Sequence, residues 1–289
     1  MTAELADQIP AAIDKLGSPA CVGLDPVIEK LPREVRDLGG TPADMLERFS
    51  KGVIDSVAGI VPVVKPQSAC FERFGSAGVA ALERTVAYAR NQGLIVLLDA
   101  KRGDIGISAD HYAAAAASMG VHAITLSGYL GPSTIEPFLK AGLAVFVLVR
   151  TSNADSDVVQ SQKLVGGETV AEMMARMVAG LSGAIGSAGL SAVGAVVGAP
   201  KAADAQMLRK IMPRQLFLIP GYGAQGGTAD DIRHMLRPRA SSAGNRGVLV
   251  TASRSVIYPA RPLTESGETW EQSIGRAARQ FAAEIAGIE

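Results

Sequence analysis

The sequence predicts an α/β protein in which residues 1–289 form a single (β/α)₈ TIM-barrel domain. Short segments that are apolar throughout alternate with longer amphipathic ones, a pattern typical of parallel strands covered on both faces. The length of 289 residues suits this fold, since such barrels need about 250 residues. The predicted strands are Ala20–Leu24, Ile60–Lys65, Leu94–Asp99, Val121–Leu126, Leu143–Val149, Ala192–Val197, Leu216–Pro220 and Val248–Ala252.

The amphipathic segments between these strands have the start signals of helices. Thr41 and Pro42 suit an N-cap and a first helical residue, which predicts a helix over Thr41–Ala58. Similar helices are predicted over Ser76–Gln92 and Thr169–Leu181. A doubly wound open sheet is the alternative fold. It is disfavoured because no glycine fingerprint of a dinucleotide site follows the first strand.

Composition and charge exclude several classes of function. Lys and Arg together number 28, as do Asp and Glu, so the chain lacks the basic surplus that nucleic acids or anionic membranes attract. Cys21 and Cys70 are too few for a disulfide framework, and the N-terminus lacks the apolar core of a signal peptide, so we expect a cytoplasmic protein. The uncharged segment Ala179–Pro200 is interpreted as a helix end, a loop and a buried strand. A membrane span is the weaker alternative.

Polar residues collect at the carboxyl ends of the predicted strands, where (β/α)₈ enzymes have their active sites. Asp99 and Lys101 are two residues apart and would project from the same face of an extended strand. A structural ion pair is the alternative for such a pair alone. We expect Asp25, Lys65 and Asp104 at the same rim, where alternating charges keep carboxylates from raising each other's pKa.

Two segments near the end of the chain predict a phosphate site. The glycine-rich segment 221–227 (GYGAQGG) can surround an anion with backbone N–H groups, and Arg254 in the following SRS segment adds a guanidinium. Phosphate sites in these barrels often form from the loops after strands seven and eight. A tight loop without a ligand is the alternative for the glycines alone.

No metal site and no nucleophile are predicted. His111, His122 and His234 lack the spacing of metal ligands and are interpreted as surface or packing residues. Ser152 follows the fifth strand, but no histidine is placed in the sequence to activate it. A hydrogen-bonding role is therefore favoured for Ser152 over a nucleophilic one.

Several segments together resemble the orotidine 5′-phosphate decarboxylases, and in particular the longer bacterial members. The segment LLDAKRGDIGISADHYA contains the signature D-x-K-x-x-D followed by Ile. Sugar-phosphate decarboxylases of the same superfamily share that signature, so the combination with other segments carries the resemblance, which spans all the predicted strands. The other segments are VGLDP, VKPQSACFE, VRTSNADSDVVQ, IPGYGAQGG and TASRSVIYP.

The resemblance implies a homodimer that converts orotidine 5′-monophosphate to uridine 5′-monophosphate and CO₂ without a cofactor, a step of de novo pyrimidine biosynthesis. Lys101 would donate a proton to C6, and Asp99 would lie beside the substrate carboxylate and hold Lys101. Asp104, with Ile105 and Ser108, would reach into the neighbouring subunit's site. The remaining implied contacts are Asp25 and Lys65 to the ribose, Ser152 to the pyrimidine, and Gln225, Ser253 and Arg254 to the phosphate.

Two positions depart from the pattern of this subgroup. Ser127-Gly128 precede Tyr129 where Asn-Pro is frequent, and Ser108 replaces an expected Thr but keeps its hydroxyl. Two alternative functions remain. A Mg²⁺-dependent sugar-phosphate decarboxylase or aldolase is disfavoured because the second strand ends at Lys65 rather than at a carboxylate. A non-catalytic nucleotide-binding barrel would have no need of a proton donor.

Overall fold

The computed structural model is a closed barrel of eight parallel strands, and it describes residues 3–181, 183–223, 225–259 and 267–288. Consecutive strands pair along the chain, and the first pairs with the last, which closes the sheet. The predicted (β/α)₈ barrel is therefore confirmed, and the open-sheet alternative is wrong. The strands are β1 Ala20–Leu24, β2 Val63–Pro66, β3 Ile95–Arg102, β4 Ala123–Leu126, β5 Ala144–Arg150, β6 Val193–Val197, β7 Phe217–Ile219 and β8 Val248–Ala252.

The strand boundaries differ most from the predicted ones at β2 and β3. β2 begins at Val63 rather than Ile60, because Pro62 has no N–H group with which to join a ladder. β3 continues to Arg102, beyond the predicted end at Asp99. This extension carries the chain through Lys101, and it decides the geometry of the site described below.

Helices follow the strands and form the outer layer. α3 and α9 begin as predicted after Thr41 and Thr169, each of which forms a capping box with the residue three positions later. The helices are α1 Ala3–Leu16, α2 Arg33–Asp37, α3 Pro42–Val57, α4 Ser68–Glu72, α5 Gly75–Asn91, α6 Gly106–Met119, α7 Glu136–Lys140, α8 Asp157–Gln160, α9 Val170–Gly180, α10 Ala202–Ile211, α11 Ala229–Arg233, α12 Arg254–Ile257 and α13 Trp270–Ala286. Short 3₁₀ turns are Ile28–Lys30, Pro132–Thr134, Ala154–Ser156 and Ala199–Lys201.

The core lies between the barrel and its helices, and α1 adds to it at the N-terminal end of the barrel. Leu5 and Ile9 of α1 are buried beside the N-terminal ends of β5 and β6. Cys21 in β1 is buried, and both it and Cys70 are free thiols. The side chains from the barrel and the helix layer thus form one continuous hydrophobic cluster.

The uncharged segment Ala179–Pro200 contains the end of α9, a loop and β6, as predicted. Ser182, within this segment, lies outside the described residues. No helix in the described part of the chain has both the length and the apolar character that a membrane span requires.

Candidate active site

A cavity of 520 Å³ opens at the C-terminal end of the barrel. Apolar side chains of the barrel interior, such as Leu148 and Val196, form its floor together with polar residues from strand ends and loops. A separate groove of 720 Å³ lies beside α1 and α7, and none of the predicted site residues lines it. The polar residues lining the C-terminal cavity are Asp25, Lys65, Gln67, Asp99, Lys101, Thr125, Thr151, Ser152, Asn153, Gln160, Gln225, Thr251, Ser253 and Arg254.

Asp99, near the end of β3, accepts hydrogen bonds from four side chains. Lys65 Nζ and Gln67 Nε2 donate to Oδ2 at 2.8 and 3.1 Å. Lys101 Nζ and Thr125 Oγ1 donate to Oδ1 at 2.6 and 2.8 Å. Asp99 and Lys65 are buried, whereas the side chain of Lys101 is 48% exposed. The ammonium of Lys101 is therefore the more accessible of the two cations in this network.

The charges of this network stabilise one another. Burial alone would raise the pKa of Asp99, but the ammonium groups of Lys65 and Lys101 hold it well below its usual value. Burial would likewise lower the pKa of Lys65, but the negative charges of Asp99 and Asp25 raise it above its usual value. Asp99 therefore stays ionised and Lys65 stays protonated at neutral pH.

The contact between Lys101 and Asp99 was expected from the alternation of a regular strand, but it arises from an irregularity in β3. Leu98 of β3 pairs with Ile124 of β4, and Arg102 pairs with Leu126, so the register shifts between them. Within this bulge Lys101 has a φ of 47°, a left-handed conformation that residues other than glycine seldom adopt. The bulge, rather than strand alternation, directs the ammonium toward the carboxylate.

Asp25 follows β1 and lines the same cavity. Its Oδ1 atom is buried and has no hydrogen-bond partner among the described residues. A buried oxygen without a donor is costly, so this atom is suited to accept a hydrogen bond from a hydroxyl of a ligand. Its charge also helps to raise the pKa of Lys65, which lines the same cavity.

Arg150, at the end of β5, holds two loops around the cavity. Its side chain is only 4% exposed and forms salt bridges with Asp157 of α8 and Asp204 of α10. The guanidinium also donates to Ser156 Oγ at 3.1 Å and to Gln160 Oε1 at 3.4 Å. These partners belong to the segments that follow β5 and β6. Arg150 therefore fixes both segments relative to the barrel.

Ser152 lies in the first of these loops and lines the cavity. The preceding residue, Thr151, is held by Gln160, which accepts from the Thr151 N–H at 2.8 Å and donates to its Oγ1 at 2.8 Å. Gly198 permits a close approach, since a Cβ atom there would be 2.7 Å from Ser152 Cα. Ser152 thus occupies a defined position where its hydroxyl can contact a ligand.

The glycine-rich segment 221–227 forms a tight turn that uses three of its glycine N–H groups. The N–H groups of Gly223, Gly226 and Gly227 donate to carbonyls within the turn at 2.9, 2.9 and 3.1 Å. They are therefore already used in the fold and are not the anion donors that we expected. Ala224 of this segment lies outside the described residues.

Side chains at this end of the cavity are better placed to bind an anion. Gln225, Ser253 and Arg254 all line it, and Arg254 is exposed. Gly221 has a φ of 92°, and a Cβ atom there would lie 3.0 Å from Gln225 Oε1. Gly23 of β1 similarly leaves room for the Ser253 side chain, whose Oγ would lie 2.0 Å from an added Cβ. Glycines therefore allow these polar side chains to share the rim.

Asp104, Ile105 and Ser108 do not line the cavity of their own chain. Asp104 Oδ1 accepts a hydrogen bond from the Ile105 N–H at 2.8 Å, and the Ile105 side chain is 61% exposed. The expectation that Asp104 joins the charge network of its own rim is therefore wrong. Asp104 lies in the short connection between the end of β3 at Arg102 and the start of α6 at Gly106.

The three histidines do not form a metal site. His122 Nδ1 accepts from the Val96 N–H at 3.0 Å, His234 Nδ1 lies 2.7 Å from the carbonyl of Asp230, and His111 is exposed. Across residues 3–181, 183–223, 225–259 and 267–288, no group of three His, Cys, Asp or Glu side chains is placed to hold a metal ion.

Comparison with known proteins identifies the family. The model of the orotidine 5′-phosphate decarboxylase/HUMPS family matches residues 18–268. An orotidine 5′-phosphate decarboxylase of Rhodopirellula baltica is 37% identical, over 98% of this chain and 99% of that protein. The chain belongs to this family. A second relative with that name, from Deinococcus radiodurans, is 41% identical over 82% of this chain and 83% of its own.

A solved structure from the family has the same architecture. The OMP decarboxylase of Leishmania donovani is 30% identical and superposes with a TM-score of 0.77. The match covers 98% of this chain and 97% of that one. The barrel and its surrounding helices are therefore a shared framework, and this chain matches nearly the full length of its relative.

Gly128, in the loop after β4, packs against side chains of β5 and α9. A Cβ atom on Gly128 would lie 2.7 Å from Met177 Cε, 2.8 Å from Met174 Cε and 2.9 Å from a methyl of Val147. Glycine at this position lets the loop pack closely against the methionine side chains of α9. Tyr129, next in the chain, is 85% exposed.

Sequence analysis assigned no role to several residues that shape the site. Thr125 and Gln67 complete the hydrogen bonds of Asp99, while Arg150 and Gln160 hold the loop with Ser152. Two of these residues stand out in the sequence, because each is a polar or charged residue in an otherwise apolar strand. Thr125 is polar within the apolar strand Ala123–Leu126, and Arg150 is a charge that ends an apolar one.

Proposed function

We propose that this chain is an orotidine 5′-phosphate decarboxylase that needs neither a metal nor an organic cofactor. The observation that carries the proposal is the ammonium of Lys101, 2.6 Å from Asp99 Oδ1 on the wall of the cavity, with Lys65 bound to the other carboxylate oxygen. Relatives named for this activity and 33–41% identical to the chain support the choice of substrate.

In the proposed reaction the bond between C6 of the pyrimidine and its carboxyl carbon breaks. The electron pair stays on C6, CO₂ leaves, and Lys101 Nζ transfers a proton to C6 before regaining one from solvent. Because Asp99 and Thr125 already hold Lys101 through its side chain and its backbone, the ammonium needs little reorganisation to stabilise the developing negative charge.

The rest of the cavity would bind the parts of the nucleotide that do not react. Asp25, with its unpaired buried oxygen, and Lys65 suit the ribose hydroxyls. Ser152 would hydrogen-bond the pyrimidine, and Gln225, Ser253 and Arg254 would hold the phosphate. Contacts far from C6 supply binding energy that positions the reacting group.

The proposal includes a homodimer with shared active sites and a cytoplasmic location, which the free thiols suit. Asp104, Ile105 and Ser108 would complete the cavity of the neighbouring subunit. The surface around them supports this arrangement, because Ile105, Ile107 and Tyr129 are 61%, 71% and 85% exposed. Large exposed apolar side chains are typical of a protein–protein interface.

Turnover of orotidine 5′-monophosphate by protein treated with EDTA is the test of this function. We expect full activity after exhaustive chelation and no stimulation by added Mg²⁺ or Zn²⁺. Activity that returns only with Mg²⁺ would favour a metal-dependent sugar-phosphate enzyme. Binding of a nucleotide monophosphate without any turnover would favour a non-catalytic barrel.

A further inference from the structure

The bulge in β3 leaves the backbone of Lys101 without a regular ladder partner. Four steps along β3, from Leu98 to Arg102, match only two steps along β4, from Ile124 to Leu126. Lys101 lies inside this bulge with a φ of 47°. A left-handed conformation at a residue other than glycine persists only where its surroundings hold it in place.

Thr125, on the neighbouring strand β4, supplies the hydrogen-bond acceptor for the Lys101 N–H that the ladder does not provide. Its Oγ1 accepts a hydrogen bond from the Lys101 N–H at 3.0 Å and donates one to Asp99 Oδ1 at 2.8 Å. A hydroxyl has a single proton, so only one arrangement satisfies both contacts: the proton points to the carboxylate and a lone pair to the amide. Thr125 is 1% exposed, so water does not readily replace it.

We propose that Thr125 is a positioning residue for the decarboxylation, an inference that rests on the function proposed above. One hydroxyl fixes the backbone of the proton donor and the orientation of the carboxylate that its ammonium contacts. Lys101 and Asp99 Oδ1 are thus linked twice, once directly from Lys101 Nζ at 2.6 Å and once from the Lys101 backbone N–H through Thr125. Losing the hydroxyl removes the second link and lets the bulge relax, which displaces the ammonium from its place at C6.

A matched pair of substitutions separates the hydroxyl from the volume of the side chain. Thr125→Val keeps the shape but removes the hydroxyl, whereas Thr125→Ser keeps the hydroxyl and removes a methyl group. Thr85→Val is the control, since Thr85 is also fully buried and its hydroxyl makes one hydrogen bond, to the Ala81 carbonyl at 2.7 Å, on α5. If Thr125→Val does not fold, Thr125→Ala takes its place.

We expect Thr125→Val to lower kcat at least about tenfold, the effect of losing a hydrogen bond to a charged group. The affinity for uridine 5′-monophosphate should change less than about threefold, because the phosphate and ribose contacts are untouched. Thr125→Ser should stay within about threefold of the parent in kcat. Thr85→Val should lower the melting temperature without changing kcat.

A second measurement does not depend on turnover. Hydrogen exchange of the Lys101 amide should be slow in the parent and in Thr125→Ser, and at least about tenfold faster in Thr125→Val. The inference is overturned if kcat of Thr125→Val stays within threefold of the parent, if Thr125→Ser is as impaired as Thr125→Val, or if the Lys101 amide exchanges equally in all three. A parent protein that does not decarboxylate orotidine 5′-monophosphate would refute the proposed function, and the exchange measurement would then decide the positioning role alone.

Discussion

Lys101 Nζ lies 2.6 Å from Asp99 Oδ1, although Lys101 has the left-handed φ of 47° that a lysine seldom adopts. The carboxylate is buried and cannot move far, because its other oxygen accepts from Lys65 and Gln67. The ammonium is therefore held at one wall of the cavity while about half of the Lys101 side chain remains exposed to it. A proton donor needs both properties, a fixed position and access to the substrate.

Replacing Lys101 by Ala should therefore remove catalysis and leave binding. We expect kcat to fall by about a hundredfold to ten-thousandfold, the usual contribution of a general acid. Affinity for uridine 5′-monophosphate should survive, since Arg254 and Gln225 lie at another part of the rim. Steady-state kinetics and calorimetric titration with the nucleotide measure the two effects.

Lys140→Ala is a suitable control, because Lys140 is an exposed lysine of α7 whose side chain is 78% accessible. It should match the parent in kcat and in affinity. A Lys101→Ala enzyme that retained activity within tenfold of the parent would show that another group protonates C6.

Arg254→Ala should mainly weaken substrate capture. Arg254 is exposed at the rim beside Gln225 and Ser253, so its guanidinium can reach a phosphate. Loss of a charged hydrogen bond costs about 1.5–3 kcal/mol, so kcat/KM should fall at least about tenfold. Steady-state kinetics on orotidine 5′-monophosphate measure this loss.

The same variant should be nearly indistinguishable from the parent on orotidine, which has no phosphate. A proportional loss on both substrates would contradict the phosphate role of Arg254. Arg33→Ala provides the matched control, because Arg33 is 84% exposed and forms a salt bridge with Asp37 on its own helix.

Stability should fall as the pH is lowered through the range in which histidine titrates. Burial, with repulsion from Arg90, lowers the pKa of His122, and its Nδ1 accepts from the Val96 N–H and so must be unprotonated. The unfolded chain therefore binds this proton more readily than the folded one. The free energy of unfolding should decrease as the pH falls below about 6.5, with a slope of at most about 1.4 kcal/mol per pH unit from this residue.

Urea unfolding between pH 8 and pH 5 tests this prediction. His122→Gln should reduce the slope, whereas the exposed His111→Gln should retain it. An unchanged slope in His122→Gln would mean that another group accounts for the pH dependence.

Much of this site could be predicted because the fold makes strand ends converge. Asp25, Lys65, Asp99 and Lys101 each follow or end an apolar run, and in a closed parallel barrel such ends share one rim. The sequence pattern does not predict the register in which neighbouring strands pair. The bulge in β3 depends on how β3 pairs with β4, a tertiary property, and the part played by Thr125 follows from that pairing alone.

The glycine-rich segment 221–227 is a second place where the sequence pattern does not determine the local hydrogen bonds. The glycine-rich segment predicts an anion site, with a tight loop as the alternative, and in the structure Gly223, Gly226 and Gly227 form a tight turn. Which amides remain available to a ligand depends on the hydrogen bonds inside the turn, and spacing does not determine those. Asp104 lies beyond the end of β3 at Arg102, where the strand no longer determines which side chains face the rim.

The final prediction concerns the dimer. If Asp104 serves the neighbouring site while Lys101 serves its own, every active site is built from two chains. The Lys101→Ala and Asp104→Ala homodimers should then both be nearly inactive. In a mixed dimer one site carries both lesions and the other carries neither. With random pairing about half of the dimers are mixed, so mixing should restore about a quarter of the parent activity.

The alternative gives a different result in the same experiment. If both residues acted within one chain, each site of a mixed dimer would keep one lesion and activity would not return. Subunit exchange must be shown independently, for example by mass spectrometry of the mixed species. Absence of recovery with exchange established would refute the shared site. Recovery would instead explain why Asp104, Ile105 and Ser108 lie outside the cavity of their own chain.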